Sequence, residues 1–157
     1  MTLATGTAPA FVRACERFFA LCEEHAGDDL ERLHRLVEEL TALHFLAVRL
    51  PPLDAEMDVP GGGFPFQAVR RRVAAAFPDL GSYSSCDDPL GVDGTPALLR
   101  RDALDDLTRL HGQLAEGYDL WRQGMRRDAV HRWREGFQAG WRVELLSVVG
   151  LVHEMLE

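Results

Sequence analysis

The sequence lacks three residue types altogether: it contains no lysine, no isoleucine and no asparagine. All three are encoded by A/T-rich codons, so their absence indicates a GC-rich genome. Each of the 17 basic residues is therefore an arginine. For this reason the abundance of arginine is not in itself a sign of phosphate or carboxylate recognition.

Cysteine is scarce, and the positions of the three cysteines exclude the usual cysteine-based structures. Cys15, Cys22 and Cys86 form neither a Cys-x-x-Cys metal motif nor a disulfide framework with an even number of members. Cys15 and Cys22 are seven residues apart, so we expect both as small core residues on one face of a helix. This usage favours the reducing cytoplasm.

Long hydrophobic runs are also missing. No apolar stretch approaches the roughly 20 residues that span a bilayer, and charged residues interrupt the segment 11–22 that a signal peptide would need. The net charge of −8 argues against nucleic acids and membrane surfaces as partners, because both are anionic. We therefore expect a cytoplasmic protein whose partner is another protein.

The residues that are present show helical apolar spacing along nearly the whole chain, with no sustained two-residue alternation. A chain of 157 residues, 46% of them apolar, is long enough for one domain with its own core over 1–157. The pattern predicts an all-α fold, an antiparallel bundle of four main helices plus one shorter helix.

Capping and breaking residues set the helix boundaries. The predicted helices cover about 9–25, 28–50, 64–77, 102–122 and 127–156. Apolar spacing predicts an inward face on the second helix made of Leu30, Leu33, Val37, Leu40, His44 and Ala47. On the last helix it predicts an inward face made of Val130, Trp133, Phe137, Trp141, Leu145, Val148, Val152 and Met155. Asp28 and Asp102 are the expected N-caps, and Pro51 and Gly124 are the expected stops. The turn-rich segment 78–101 is predicted to be irregular, and loops of this length are often functional.

All three tryptophans lie in the last third of the chain, and each is followed by an arginine: Trp121, Trp133 and Trp141. Trp133 and Trp141 fall on the apolar stripe of the last predicted helix, which favours a place in the core. The alternative interpretation is an exposed aromatic patch that binds a partner.

A cluster of arginines accompanies these tryptophans. Six arginines and two acidic residues lie between residues 122 and 142, a local charge of 6 − 2 = +4. Arg127, Arg134 and Arg142 share one polar face of the predicted helix and would suit an acidic peptide, a phosphate or a nucleic acid. The alternative is internal pairing with acids of helices two and four, such as Glu38, Glu39, Asp105 and Asp106.

Two histidines fall on the apolar stripes of different helices. If these stripes face each other, His44, His111 and Tyr118 line a pocket between helices two and four, suited to ligand binding or proton transfer. The alternative is that each is a core histidine with hydrogen-bonded ring nitrogens.

Two short spacings are typical of di-iron helical bundles, namely Glu31-x-x-His34 and Asp128-x-x-His131. Such a site also needs carboxylates at core depth from two further helices, and the apolar stripes of helices one and four offer none. We therefore predict no metal and no cofactor.

Several motifs resemble a known family: Leu33-His-Arg-Leu36, Leu50-Pro-Pro52, Asp88-Pro89, Gly117-Tyr-Asp-Leu-Trp-Arg-Gln-Gly124 and Trp133-Arg-Glu-Gly-Phe137 followed by Trp141. Together they resemble the bacterial helical family catalogued as domain of unknown function 5063, over most of the chain. The resemblance implies an all-helical cytoplasmic protein of bacteria, and it implies no activity. Family members tend to carry histidine at the position of Gly140.

No nucleophile lies in a recognisable catalytic arrangement. We therefore predict a non-catalytic protein-interaction or regulatory module, with its binding residues in the last helix: Arg127, Arg134, Arg142, Trp133 and Trp141. One alternative is an enzyme or small-ligand-binding bundle that uses the pocket of His44, His111 and Tyr118. A further alternative is an acidic protein that neutralises a basic toxin or nuclease. An apolar bundle is also compatible with self-association into a homo-oligomer.

Overall fold

The computed structural model describes residues 6–24, 27–57, 59–88 and 97–157. The elements are, in chain order, α1 (Thr7–Glu23), α2 (Asp29–Val48), α3 (Phe66–Ala76), β1 (Ser82–Asp88), β2 (Ala97–Asp102), α4 (Ala103–Arg122), α5 (Arg126–Gly136), a π-helical turn (Phe137–Trp141) and α6 (Arg142–Leu156). The predicted all-α bundle is confirmed, with a small two-stranded sheet added to it. Within the described residues, no helix has the length and apolar character needed to cross a bilayer.

The predicted helix caps are present. The side chain of Asp28 accepts a hydrogen bond from the amide of Leu30, and the side chain of Asp102 accepts one from the amide of Leu104. These bonds satisfy amides that have no partner inside the first helical turn. Gly124 follows α4 with a φ of +84°, which glycine adopts without strain, and so the chain turns back directly into α5.

The last predicted helix is a single long helix made of α5, the π-helical turn and α6, because helical backbone angles continue through both junctions. All its predicted inward residues are buried except Met155, which is 38% exposed. The π-helical turn adds one residue to a helical turn and so shifts the apolar stripe of α6 relative to that of α5. Phe137 and Trp141, at its two ends, are both buried.

The tryptophans of this helix form the centre of the core. Trp133 and Trp141 have no exposed surface, and the ring of Phe11 from α1 lies 4.9 Å and 6.2 Å from them. Trp133 Nε1 donates to the carbonyl of Leu114 at 3.0 Å, and Trp141 Nε1 donates to the carbonyl of Trp133 at 3.1 Å. The core interpretation is therefore correct, and naming these two tryptophans as binding residues was wrong.

The buried face of α2 is rotated from the predicted one. Leu30 was expected inside but is 52% exposed, whereas Leu36 and the charged Arg32 are buried. Arg32 donates to the carbonyl of Ala76 at 3.2 Å and to that of Leu21 at 2.9 Å. These carbonyls near the ends of α3 and α1 satisfy the buried guanidinium, as a buried cation requires.

The segment 78–101 was predicted to be irregular, and its described residues, 78–88 and 97–101, correct that prediction; residues 89–96 lie outside the part of the chain that the structure describes. Its described part contains an antiparallel hairpin in which Ser82 pairs with Asp102 and, beyond a register shift, Asp88 pairs with Ala97. Neither strand alternates apolar and polar residues, which is why the periodicity gave no sign of it. Leu98 in β2 is 74% exposed, so the hairpin is not held by a hydrophobic face of its own.

Candidate functional site: a groove between the hairpin and the last helix

A groove of about 780 Å³ lies between the first strand of the hairpin and the last helix. Residues of β1 from Tyr83 to Cys86 form one side, and residues of α6 from Arg142 to Glu154 form the other. His44 of α2 also lines this space, which we call the hairpin groove. Its volume suits a short peptide or a small molecule.

The strand β1 meets the hairpin groove along its edge. Tyr83, Ser84, Ser85 and Cys86 all line the groove, although successive side chains of a strand point to opposite faces. Contact with four consecutive residues is expected of a space that lies beside a strand and not above one of its faces. β2 pairs along the other edge and does not line the groove.

One buried carboxylate holds both strands of the hairpin to the bundle. Asp106 of α4 is 2% exposed, and its Oδ2 accepts a hydrogen bond from the Tyr83 hydroxyl at 2.8 Å. Arg101 of β2 binds the same carboxylate with two parallel hydrogen bonds of 3.0 Å, and Arg109 adds a further one at 3.2 Å. Such two-pronged pairing fixes geometry as well as charge, so Asp106 sets the position of the groove wall.

A second carboxylate lies close to this anchor. Glu144 of α6 has a buried Oε2 with no hydrogen-bond partner among the described residues. Burial, and then the negative charge of Asp106, raise the pKa of Glu144. Burial and the hydrogen bond to Asp106 raise the pKa of Tyr83, so its hydroxyl keeps its proton and remains a donor at neutral pH.

The α6 side of the groove offers exposed apolar surface. Val143 is 40% exposed and Leu146 is 47% exposed, and both line the groove. A Cβ added at Gly150 would meet no atom within 4 Å, so there is open space beside this part of the helix. Apolar side chains that line a concave surface are typical of a binding site.

Charged residues stand at the two ends of this stretch of helix. Near one end, the Arg142 guanidinium lies 5.8 Å from the ring centroid of Phe137, and the ring of His44 lies 5.6 Å from the same ring. Near the other end stands Glu154. Both Arg142 and Glu154 are exposed, and neither has an ion-pair partner within the part of the chain that the structure describes.

The sequence suggested that three arginines of the last helix form one docking face, and two of these arginines have partners within the protein. Arg127 Nε lies 3.2 Å from Glu56 Oε1, and Arg134 Nη1 donates to the carbonyl of Leu50 at 2.6 Å. Both therefore hold the segment that follows α2, and of the predicted set Arg142 is the arginine that lines the groove.

Arg127 and Arg134 are therefore paired within the protein, but their partners are not the acids that the sequence suggested. Three of the acids named from the sequence pair with arginines elsewhere: Glu39 with Arg17, Asp105 with Arg70, and Asp106 with Arg101 and Arg109.

The predicted pocket between helices two and four is not formed by the residues proposed for it. The ring of His111 lies 4.8 Å from that of Phe19, which in turn lies 5.5 Å from Tyr118. Phe19 belongs to α1, which packs against both α2 and α4 and so separates His111 from His44. His44 lines the hairpin groove instead.

The environment of His111 favours the neutral ring. Burial, and then the positive charge of Arg72, lower the pKa of His111 to about 4. Its Nδ1 is buried with no hydrogen-bond partner among the described residues. His111 is therefore a neutral aromatic member of the α1–α4 packing at physiological pH.

The two spacings that resemble di-iron ligands have other roles. Asp128 Oδ1 accepts the amides of Glu56 and Met57 at 3.0 Å and 2.9 Å, and His131 Nδ1 lies 2.9 Å from the carbonyl of Leu53. The Glu-x-x-His pair of α2 is exposed. Within the described residues, no group of three or more potential ligands is placed to hold a metal ion.

The anchor of Tyr83, Arg101 and Asp106 was missed by the sequence analysis, although one signal was available. Asp106 follows Ala103 by three residues and precedes Leu110 by four, and both of these are fully buried. Asp106 thus lies on the buried face of α4, where a carboxylate requires a cationic partner.

Comparisons with known proteins bear on the fold. No protein-family model matches the chain, and no curated protein matches it either. Among solved structures, the chain resembles protein BF1032 from Bacteroides fragilis with a TM-score of 0.79 and 14% sequence identity, over 99% of this chain and 95% of that chain. At this identity the resemblance shows a shared fold and carries no function with it.

Proposed function

We propose that this protein is a non-catalytic protein-interaction module of the bacterial cytoplasm, which binds an extended segment of another protein in the hairpin groove. The observation that carries the proposal is that β1 borders the groove with its edge. An extended segment laid along that edge would hydrogen-bond to the backbone of β1, as in other cases of strand addition. Its side chains would contact Val143 and Leu146 on the opposite side.

The chemistry next to the groove supports binding more than catalysis. Asp106 is nearly inaccessible, and its two oxygens accept four hydrogen bonds from Tyr83, Arg101 and Arg109, so the carboxylate is occupied by contacts within the protein. Tyr83 retains its proton at neutral pH because its pKa is raised. Both groups serve to hold the hairpin in place.

The proposal is tested by selecting binders from a library of random heptapeptides displayed on phage. The test variant is Leu146→Arg, which places a long cation in the groove at a position already 47% exposed. The matched control is Leu98→Arg, the same change on an exposed residue of β2 outside the groove.

We expect the wild-type protein to enrich sequences rich in β-branched residues, which bind the Leu98→Arg variant equally well and the Leu146→Arg variant at least tenfold more weakly. Failure to enrich any sequence, or equal binding to both variants, would refute the proposal. Light scattering must also show a monomer, because a dimer in which a second copy covers β1 would assign the groove to self-association.

A further inference from the structure

We infer that Arg142 and His44 form a binding site for an oxyanion, the carboxylate or phosphate group of a small molecule whose apolar part contacts Leu146. This inference goes beyond the proposed function, because the site is built from α2 and the last helix and does not need the edge of β1. We call the site formed by Arg142, His44 and the Phe137 ring the oxyanion site.

The Phe137 ring brings the two polar groups together. The ring of His44 lies 5.6 Å from the ring centroid of Phe137, and the guanidinium carbon of Arg142 lies 5.8 Å from it. His44 and Arg142 both line the hairpin groove, whereas Phe137, which is 7% exposed, does not. The Phe137 ring therefore supports both groups from the protein interior, and the groove opens beside them.

The gap between these two groups suits an oxyanion. The His44 ring and the Arg142 guanidinium cannot be farther apart than the sum of their distances to the Phe137 ring. A carboxylate or phosphate that accepts one hydrogen bond of about 2.8 Å from each group spans most of that greatest separation. Arginine offers a planar pair of N–H donors that matches two oxygens of such a group, and each neutral tautomer of histidine carries one N–H donor.

Both groups lack polar partners within the protein. Arg142 has no ion pair and His44 has no hydrogen bond within the part of the chain that the structure describes. On their own helices, no acidic residue lies three or four positions before or after either of them. Glu154, the acidic residue that lines the groove, is about 18 Å from Arg142 along the helix axis at ~1.5 Å per residue. The charge of Arg142 is therefore not neutralised by a neighbouring carboxylate.

Apolar surface lies directly beside the oxyanion site. Leu146 follows Arg142 by four residues, so the two side chains are neighbours on the surface of the helix. Leu146 is 47% exposed, and a Cβ added at Gly150, one turn further along, would meet no atom within 4 Å. A ligand with one negative group and a compact apolar part would pair with Arg142 and cover Leu146. The groove, at about 780 Å³, has room for such a molecule.

The experiment titrates isotope-labelled protein with four probes and follows the backbone amide of Val143 and the ring protons of His44 by NMR. Phenylbutyrate is the carboxylate probe, and phenethyl phosphate is the phosphate probe. Phenylbutanol carries an apolar part without charge, and inorganic phosphate carries charge without an apolar part. The two phenyl anions thus distinguish a carboxylate ligand from a phosphate ligand.

At least one of the two phenyl anions should shift both reporter signals until they saturate. It should bind about fivefold more tightly than phenylbutanol, because an ion pair with an exposed arginine contributes modestly to affinity. Inorganic phosphate should shift the same signals with lower affinity. The inference would be overturned if neither phenyl anion shifted these signals, or if phenylbutanol bound with equal affinity.

Three variants and one control assign the contacts. Arg142→Gln removes the charge but keeps a polar side chain, and it should weaken binding of the phenyl anion about fivefold. The matched control is Arg13→Gln on α1, where Arg13 is also exposed and has no ion pair among the described residues. His44→Phe keeps a ring beside Phe137 without its N–H donor and should also weaken binding. Leu146→Ala should weaken binding of the phenyl anion but not of inorganic phosphate.

The control decides between a built site and a general effect of charge. Equal losses of affinity in Arg142→Gln and Arg13→Gln would overturn the inference, as would unchanged affinity in both Arg142→Gln and His44→Phe. The backbone amide spectrum of each variant shows whether it is folded. Phage-selected peptides report strand addition at β1, so their binding can succeed or fail independently of the oxyanion site.

Discussion

Replacement of Asp106 with asparagine should release the hairpin from the bundle and remove the groove while the helices stay folded. Asparagine keeps the shape of the side chain but has no charge. Arg101, whose side chain is 15% exposed, would lose its counter-ion, and the Tyr83 hydroxyl would lose a charged acceptor. Because these contacts connect both strands to α4, the hairpin should detach before the helices unfold.

The size of the expected loss in the free energy of unfolding follows from how deeply each partner of Asp106 is buried. Breaking a fully buried ion pair costs about 3–5 kcal/mol, because the remaining charge is left without compensation. Arg101 retains some access to water, and Arg109 is 47% exposed and contributes little. We therefore expect the free energy of unfolding to fall by about 3 kcal/mol.

Asp105→Asn is the matched control. Asp105 precedes Asp106 in the first turn of α4 and also pairs with an arginine, Arg70 at 2.6 Å, but both side chains are 32% exposed. The two variants lose the same favourable interaction with the helix dipole, so the difference between them isolates the buried anchor. Asp105→Asn should cost about 1 kcal/mol or less.

The assay is urea unfolding of both variants, combined with hydrogen exchange of the backbone amides of β1 and β2. Asp106→Asn should speed exchange in the hairpin far more than in α4 and should abolish binding of groove-specific peptides. The reasoning would be refuted by equal losses of stability in the two variants, or by a hairpin whose exchange is unchanged in Asp106→Asn.

Three further predictions concern packing and pH. Gly117→Ala should destabilise the protein by about 2 kcal/mol in urea unfolding, because the added Cβ would lie 2.2 Å from Nε1 of the fully buried Trp133. Gly150→Ala, with open space around it, should instead stabilise α6 by about 0.5–1 kcal/mol. A change in the free energy of unfolding that has the same sign in both variants would contradict this reasoning. The pKa of His111 falls from 6.5 to about 4 on folding, so the unfolded chain binds the extra proton between these pH values. The free energy of unfolding should therefore fall as pH falls from about 6.5 to 4. His111→Phe should weaken this dependence on pH, and an unchanged dependence would contradict the prediction. The pKa of Glu144 is raised from 4.5, so the folded state binds the extra proton and stability should fall as pH rises above 4.5; Glu144→Gln should remove this loss, as thermal unfolding across the pH range would show.

The features that the sequence predicted correctly are local ones. The N-caps at Asp28 and Asp102 and the stop at Gly124 depend on side chains and backbone angles within a few residues. The inward face of the last helix was also correct from Val130 to Val152, because a long run of large apolar residues leaves one face that can be buried.

The features that the sequence predicted wrongly depend on distant partners. The face of α2 was misplaced because a buried arginine, Arg32, finds carbonyls at the ends of two other helices. His44 and His111 both fall on helical stripes, but their neighbours are decided by the position of α1 and its Phe19. Periodicity gives the angular position of a residue on its own helix and does not give the element that faces it.

By itself, the sequence determined the helical class, the helix boundaries and the burial of Trp133 and Trp141, because propensity, capping and apolar periodicity act over short distances along the chain. Only the tertiary structure decided the hairpin and its groove. The strands lack an apolar face of their own and are held through Asp106, which lies 23 residues from Tyr83 along the chain. A strand whose stability comes from a carboxylate on another element leaves no periodic pattern in its own residues, and so the candidate site emerged only when the elements were brought together.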